Sequence, residues 1–152
     1  MRDLRGRATP PAPALVSFLF PMTDRVVLGF DFGARRIGVA IGNSVTREAR
    51  PLTTVNAALT GARWDAVAAL IGEWEPAQLV VGIPRHPDGT PHDMTARCER
   101  FARQLEGRFR RPVGRVDERY TSAVSERADD IDAAAAALIL QQWFDEEGGR
   151  DA

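Results

Sequence analysis

The chain contains no lysine. Its 20 basic residues are all arginine, set against 21 acids, and the formal charge at pH 7 is −1. That balance excludes the global basic field of a protein that gathers polyanions by net charge alone. With alanine so abundant, the missing lysine reads as codon bias in a GC-rich genome. One cysteine is present, Cys98, so no internal disulfide can form, and a reducing cytoplasm is the expected compartment. No apolar run approaches the ~20 residues that a membrane-spanning helix needs. The 152 residues suit one domain with a substantial core.

Residues 1–24 offer little to fold. Pro10, Pro11 and Pro13 interrupt them, and the apolar piece Leu15–Phe20 is short and closed by Pro21. A signal peptide would carry a longer apolar region and a small-residue cleavage site. A disordered extension is expected here, with Met22 a candidate natural start, and the domain is expected over residues 25–147.

The domain is organised around VVLGFDFGARRIGVAIG, Val26–Gly42. Val26–Phe32 and Arg36–Gly42 read as two strands of an antiparallel hairpin, turned through Gly33, whose lack of a side chain suits a close backbone approach or a positive φ. Arg50–Val55 reads as a third strand. Arg63–Trp74 is helical, with Trp64, Val67, Ile71 and Trp74 at spacings of three and four. Gln78–Ile83 is a fourth strand stopped by Pro84, and His86–Thr90 a loop. Pro91–Phe109 reads as the longest helix, with Met94, Cys98, Phe101, Leu105 and Phe109 on one face and Arg97, Arg100 and Arg103 on the other. Pro112–Val116 is the fifth strand, followed by Asp117-Glu118-Arg119. Thr121 or Ser122 can cap a helix to about Arg127. A last helix spans Asp132–Glu146 and stops before Gly148-Gly149, leaving 148–152 as a disordered tail. The pattern predicts an α/β fold: a five-stranded mixed sheet, the first three strands antiparallel, with helices on both faces.

Asp31 sits inside an apolar strand, where a carboxylate is costly unless an arginine or a metal ion compensates it. Glu118 follows the fifth strand; with parallel strands, both acids project at the sheet's carboxyl edge, where open α/β sheets build their sites. Asp132 shares a helical face with Ala136, Ile139 and Trp143, which must pack inward. Alone, Asp132 would be read as a helix cap and Glu118 as a surface partner of Arg115 or Arg119. Together, three carboxylates at one edge repel one another and raise each other's pKa. A hard divalent cation relieves that, with Mg²⁺ keeping open positions for a phosphate. Two such ions about 4 Å apart stabilise both oxygens of an in-line phosphoryl displacement, with no protein nucleophile.

The blocks GFDFGARRIGVAIG, LVVGIPRHPDGTPHDMTAR, VDERYTS and DAAAAALIL, in that order, resemble the YqgF/RuvX family. These are bacterial RNase H-fold proteins associated with Holliday-junction resolution and with processing the 5′ end of pre-16S rRNA. The resemblance covers about Val26 to Phe144. It implies an RNase H-like fold and metal-dependent phosphodiester cleavage with Mg²⁺ or Mn²⁺. Asp31 matches the first-strand acid, Glu118 the acid of the DER motif and Asp132 the acid opening the last helix, as catalytic residues and metal ligands. Asp117 ranks below Glu118 because its side chain should alternate to the other side of the strand. One departure stands out. Family members carry a longer, basic, Gly-containing loop before the last helix, whereas only Ala128-Asp129-Asp130-Ile131 intervenes here, which leaves Asp129 and Asp130 as rivals to Asp132.

Arg35 and Arg36, beside Asp31 in the turn, are candidates for substrate phosphates. Arg97, Arg100, Arg103 and Arg119 belong to a basic stretch that reads either as solvated surface or as a nucleic-acid backbone contact. His86 and His92 lack zinc-ligand spacing, and Cys98 belongs with the core. The leading expectation is a nuclease for structured nucleic acid, pre-16S rRNA ahead of the Holliday junction, acting as monomer or homodimer near ribosome precursors, with no membrane partner. Two readings compete. One is an RNase H-like binding module that has lost catalysis; the other is an actin-type ATPase, for which the chain is too short to close a second lobe over a nucleotide.

Overall fold

The computed structural model describes residues 25–119 and 128–151. The expected N-terminal extension and the helix capped by Thr121 or Ser122 lie outside them. The elements are β1 (Val26–Phe32), β2 (Arg36–Asn43), β3 (Ala49–Asn56), α1 (Thr60–Trp74), β4 (Gln78–Arg85), α2 (Thr95–Phe109), β5 (Val113–Arg119) and α3 (Ala128–Asp151). They form one five-stranded sheet in the order β3-β2-β1-β4-β5. β1 and β3 flank β2 antiparallel, while β4 joins β1 and β5 joins β4 parallel. Asp31 in β1 and Glu118 in β5 therefore point toward the same carboxyl edge.

β1 is covered on both sides, which explains its nearly unbroken apolar run. Leu28, Phe30 and Phe32 face α1 and α2, among Trp64, Val67, Ile71, Cys98, Phe101 and Leu105. The Phe101 ring stacks on Phe32 at 4.7 Å and on Trp64 at 5.5 Å, and meets Phe30 edge-on at 5.8 Å. Val27, Ala40, Val80 and Val116 face the other way, against Ala136, Ile139, Leu140 and Phe144 of α3.

Several boundaries move relative to the sequence reading, each for a local reason. β4 continues through Pro84 to Arg85. Its pairing with β1 ends at Phe30–Val81, so beyond that point β5 is its one neighbouring strand among the described residues, and β4 tolerates a residue without an N–H. α2 begins at Thr95 rather than Pro91, because side chains hold the entry in a turn. The His92 N–H donates to Thr95 Oγ1 at 2.7 Å, and the Met94 N–H to His92 Nδ1 at 3.1 Å. β5 extends to Arg119 through the pairs Ile83–Asp117, Pro84–Glu118 and Arg85–Arg119, so Glu118 lies within the strand instead of after it. α3 starts at Ala128, which makes the expected intervening loop 128–131 its first turn and puts Asp132 inside the helix. It runs to Asp151, past Gly148-Gly149; a helical glycine costs about 1 kcal/mol but keeps its backbone hydrogen bonds.

Glycines open gaps in the face that receives α3. A Cβ on Gly29 would lie 2.9 Å from Leu140 Cβ, one on Gly82 2.5 Å from Ile139 Cδ1, and one on Gly42 2.5 Å from the Phe144 ring. At Gly38 the obstruction is backbone: an added Cβ would run into the Asp132 carbonyl. α3 thus rests on the sheet's main chain.

This packing sets a stability test. Gly38→Ala must displace the α3 backbone and should lower unfolding free energy by about 2 kcal/mol or more, as overpacking does. Gly72→Ala, on an exposed helical position with open space around it, should raise it by ~0.5–1 kcal/mol. Urea denaturation of both variants would read the difference; equal effects would mean that α3 is not seated on the sheet.

Candidate active site

Asp31 pairs in register with Gly38, the glycine beneath the Asp132 carbonyl. That places the second turn of α3 beside the tip of β1. Two strands away, Glu118 leans inward, with Oε1 3.3 Å from where a Cβ on Gly82 would sit. The absent side chain at Gly82 is what lets this carboxylate lie over β4. The three acids come from β1, β5 and α3 and converge on the α3 side of the carboxyl edge. Asp117 alternates to the opposite side, as its strand position requires, and pairs with Arg85 at 3.2 Å. Asp129 and Asp130 lie in the first turn of α3, and Asp132 follows with its carbonyl over Gly38.

The electrostatics follow from this crowding. The Asp31 carboxyl is pushed up from 3.8 to about 7, first by burial, then by the charges of Glu118 and Asp132. Burial also raises Glu118. Beneath them, Cys98 Sγ donates to the Phe32 carbonyl at 3.9 Å. Burial, reinforced by the nearby Asp31 and Glu118, pushes its thiol up to about 12, so Cys98 is an inert core residue.

Asp132 is treated differently. Arg36 Nε donates to its Oδ2 at 2.7 Å, so the arginine assigned from sequence to substrate phosphate occupies a candidate metal ligand. Among the described residues no three His, Cys, Asp or Glu side chains stand close enough to enclose an ion. The donor chemistry nevertheless fits a hard cation: carboxylate oxygens only, an excess of negative charge, and a buried Asp31 that its surroundings penalise when ionised. Asp31 and Glu118 would be the first ligands of such an ion; Asp132 could join only by leaving Arg36.

Arginines of the β1–β2 turn flank the same edge, and others lie along α2 and at the end of β5. Arg35 is exposed and, with Arg36, Thr54, Asn56 and Ala58, lines an open cleft of about 360 Å³. Arg97, Arg100 and Arg103 are exposed on α2 and make no ion pair among the described residues. Arg119 ends β5; its side chain lies outside the described set. Arg115 is committed elsewhere, to Glu99 at 3.2 Å and Glu106 at 2.9 Å.

Two residues escaped the sequence reading. Buried Thr95 donates to the Pro84 carbonyl at 2.5 Å and so ties the start of α2 to the strand end opposite Glu118. Arg63 lies over the Phe32 ring, its guanidinium carbon 5.3 Å from the centroid. Burial and the neighbouring Arg97 make it less basic than usual. The first turns of α1 and α2 carry no acid. Arginines near helix starts oppose the macrodipole, and that signal could have flagged Arg63 beside Arg97.

The raised Asp31 sets a pH dependence. Between pH 4 and 7 the folded protein holds a proton that the unfolded chain releases, so Asp31 makes stability fall as pH rises through that window. The cost approaches about 4 kcal/mol above pH 7. In chelator, Asp31→Asn should be more stable than wild type at pH 8 and nearly equal at pH 4. Melting curves across that range would show it; a constant difference would contradict the crowding.

Comparisons with known proteins give the family and the fold. Residues 25–146 match the family model described as "RuvX: Holliday junction resolvase". A protein of Polynucleobacter necessarius named "Putative pre-16S rRNA nuclease" is 51% identical over 129 residues, covering 82% of this chain and 88% of its own length. A protein of Paraburkholderia phytofirmans with the same name is 52% identical over 130 residues, covering 80% and 89%. Among solved structures, T. thermophilus RuvC in complex with a Holliday junction substrate aligns with a TM-score of 0.53 at 16% identity, over 82% of this chain and 96% of that one; this likeness speaks for the fold alone. Shared sequence over nearly the whole domain and a sheet of RNase H-like order place the chain in the RuvX family of nucleases.

Proposed function

We propose that this nuclease is metal-dependent and cleaves the precursor of 16S rRNA near its 5′ end, in the cytoplasm. The observation that carries the chemistry is the convergence of Asp31, Glu118 and Asp132 at one sheet edge, with Asp31 destabilised by its own neighbours. The substrate rests on relatives at about 50% identity that bear the rRNA-nuclease name. Holliday-junction cleavage is the second reading, favoured by the family model's description; paired nicks would then call for a homodimer.

In this reading Asp31, Glu118 and Asp132 hold Mg²⁺ or Mn²⁺. With a divalent ion bound, the site gains charge neutralisation for the phosphodiester and a more acidic water for attack. The chain's own residues do the rest. Arg35 and Arg36 receive the phosphates next to the scissile bond, and Arg97, Arg100, Arg103 and Arg119 steer the flanking backbone. Thr95 fixes the β4–α2 connection that closes the edge.

Purified protein with Mg²⁺ or Mn²⁺ should be tested on a labelled 5′ precursor fragment of 16S rRNA and on a four-way DNA junction. Cleavage of the RNA should fall at least about a hundredfold in Asp31→Asn, the size expected when a group that stabilises transition-state charge is lost. Asp117→Asn should stay within a few-fold of wild type. Cleavage of the junction alone would move the assignment to the second reading. Binding of either substrate without cleavage under any metal would leave a catalytically silent binding module.

A further inference from the structure

We infer that Arg36 is a positioning residue that couples substrate to metal: it withholds Asp132 from the metal site until a substrate phosphate takes its guanidinium. This inference rests on the nuclease reading and goes beyond it by naming how the site assembles. Arg36 stands first in β2, next to the Gly33-Ala34-Arg35 turn. Its side chain is 44% exposed while that of Asp132 is 22% exposed, so the arginine is open to an incoming strand and the carboxylate faces the site. The two are locked by the 2.7 Å contact from Nε, and the Asp132 main chain is pinned over Gly38. Only the two side chains are free to adjust.

The charges define two arrangements. With the pair closed, Asp132 is neutralised and the site holds Asp31 and Glu118 as its remaining acids. A phosphodiester offers Arg36 an alternative anion with the forked geometry that guanidinium prefers. Its cleft, shared with Arg35, Thr54 and Asn56, is open to solvent and lined by two guanidinium groups. Once Arg36 turns to phosphate, Asp132 becomes available as a third carboxylate, and the excess negative charge is then offset by a divalent cation. Metal and nucleic acid should therefore bind with positive, reciprocal coupling. The metal alone competes with Arg36 for Asp132.

The test measures metal binding, not turnover. The full chain is titrated with Mg²⁺ by thermal shift, alone and with a short single-stranded phosphodiester oligonucleotide or its uncharged methylphosphonate analogue. In the protein alone, Arg36→Gln should lower the Mg²⁺ midpoint by about three- to tenfold, the scale of a partly exposed ion pair in competition. Arg36→Lys, which keeps the charge, should recover most of the wild-type value. Arg35→Gln, a neighbouring charge without the carboxylate partner, should shift it by less than about twofold. The phosphodiester should lower the wild-type midpoint by a similar factor, the methylphosphonate should not, and the effect should vanish in Arg36→Gln. A midpoint that responds to Asp31→Asn but is the same in wild type and Arg36→Gln, or coupling that survives in Arg36→Gln, overturns the role of Arg36 and leaves the nuclease reading standing. A Mg²⁺ shift indifferent to Asp31→Asn overturns both.

Discussion

The close seating of α3 over the glycines of the sheet is the constraint on which the site depends. Glycines at positions 29, 38, 42 and 82 bring the helix within contact of the main chain. Side chains there would run into α3 and hold it away. Asp132 would move out with it, and the acids of β1 and β5 would lose their third member. The same face carries Val27, Ala40, Val80 and Val116 toward α3. A modest apolar patch thus fixes the helix while glycines set its height. Core packing and site geometry are one feature here: removing a side chain from the sheet is what admits a carboxylate to its edge.

The electrostatic consequence is a site strained in its resting state. Asp31 is half-buried near two other acids, and its pKa is pushed up to about 7, out of the ordinary carboxylate range. The fold tolerates it because the opposite side of β1 is built from stacked aromatics, Phe32, Phe101 and Trp64, whose burial offsets the cost. Perturbed groups of this kind mark functional edges when a specific charge partner accompanies the burial. Arg36 supplies partial relief by binding Asp132, while Asp31 and Glu118 have no ion-pair partner among the described residues. Stability and function pull in opposite directions at this point, as they commonly do where charge is concentrated for chemistry.

Much of this was readable from residues alone, and the exceptions share a cause. The sheet, the two helical layers and the inward face of Asp132 follow from local periodicity. The exclusion of Asp117 follows from strand alternation. What periodicity could not supply was the partner of each charge. Arg36 sits next to Asp31 in sequence, yet its carboxylate is Asp132, 96 positions away. Arg115 was a candidate partner for Glu118 and is instead held by Glu99 and Glu106. Element ends were misjudged where tertiary bonds replaced local rules: the Thr95–His92 turn delays α2, and the loss of β1 as neighbour lets β4 run through Pro84. The glycines were visible, but that they form one surface emerges only once β1, β2 and β4 are laid side by side.

The central claim is that α3 brings Asp132 into one metal-binding cluster with Asp31 and Glu118. Crystals grown with Mn²⁺, with data collected at a wavelength where manganese scatters anomalously, test it most directly. An anomalous peak bounded by Asp31 and Glu118, with Asp132 turned away from Arg36 toward it, is the expected result. A peak elsewhere on the surface, with the three carboxylates left without metal, would contradict it.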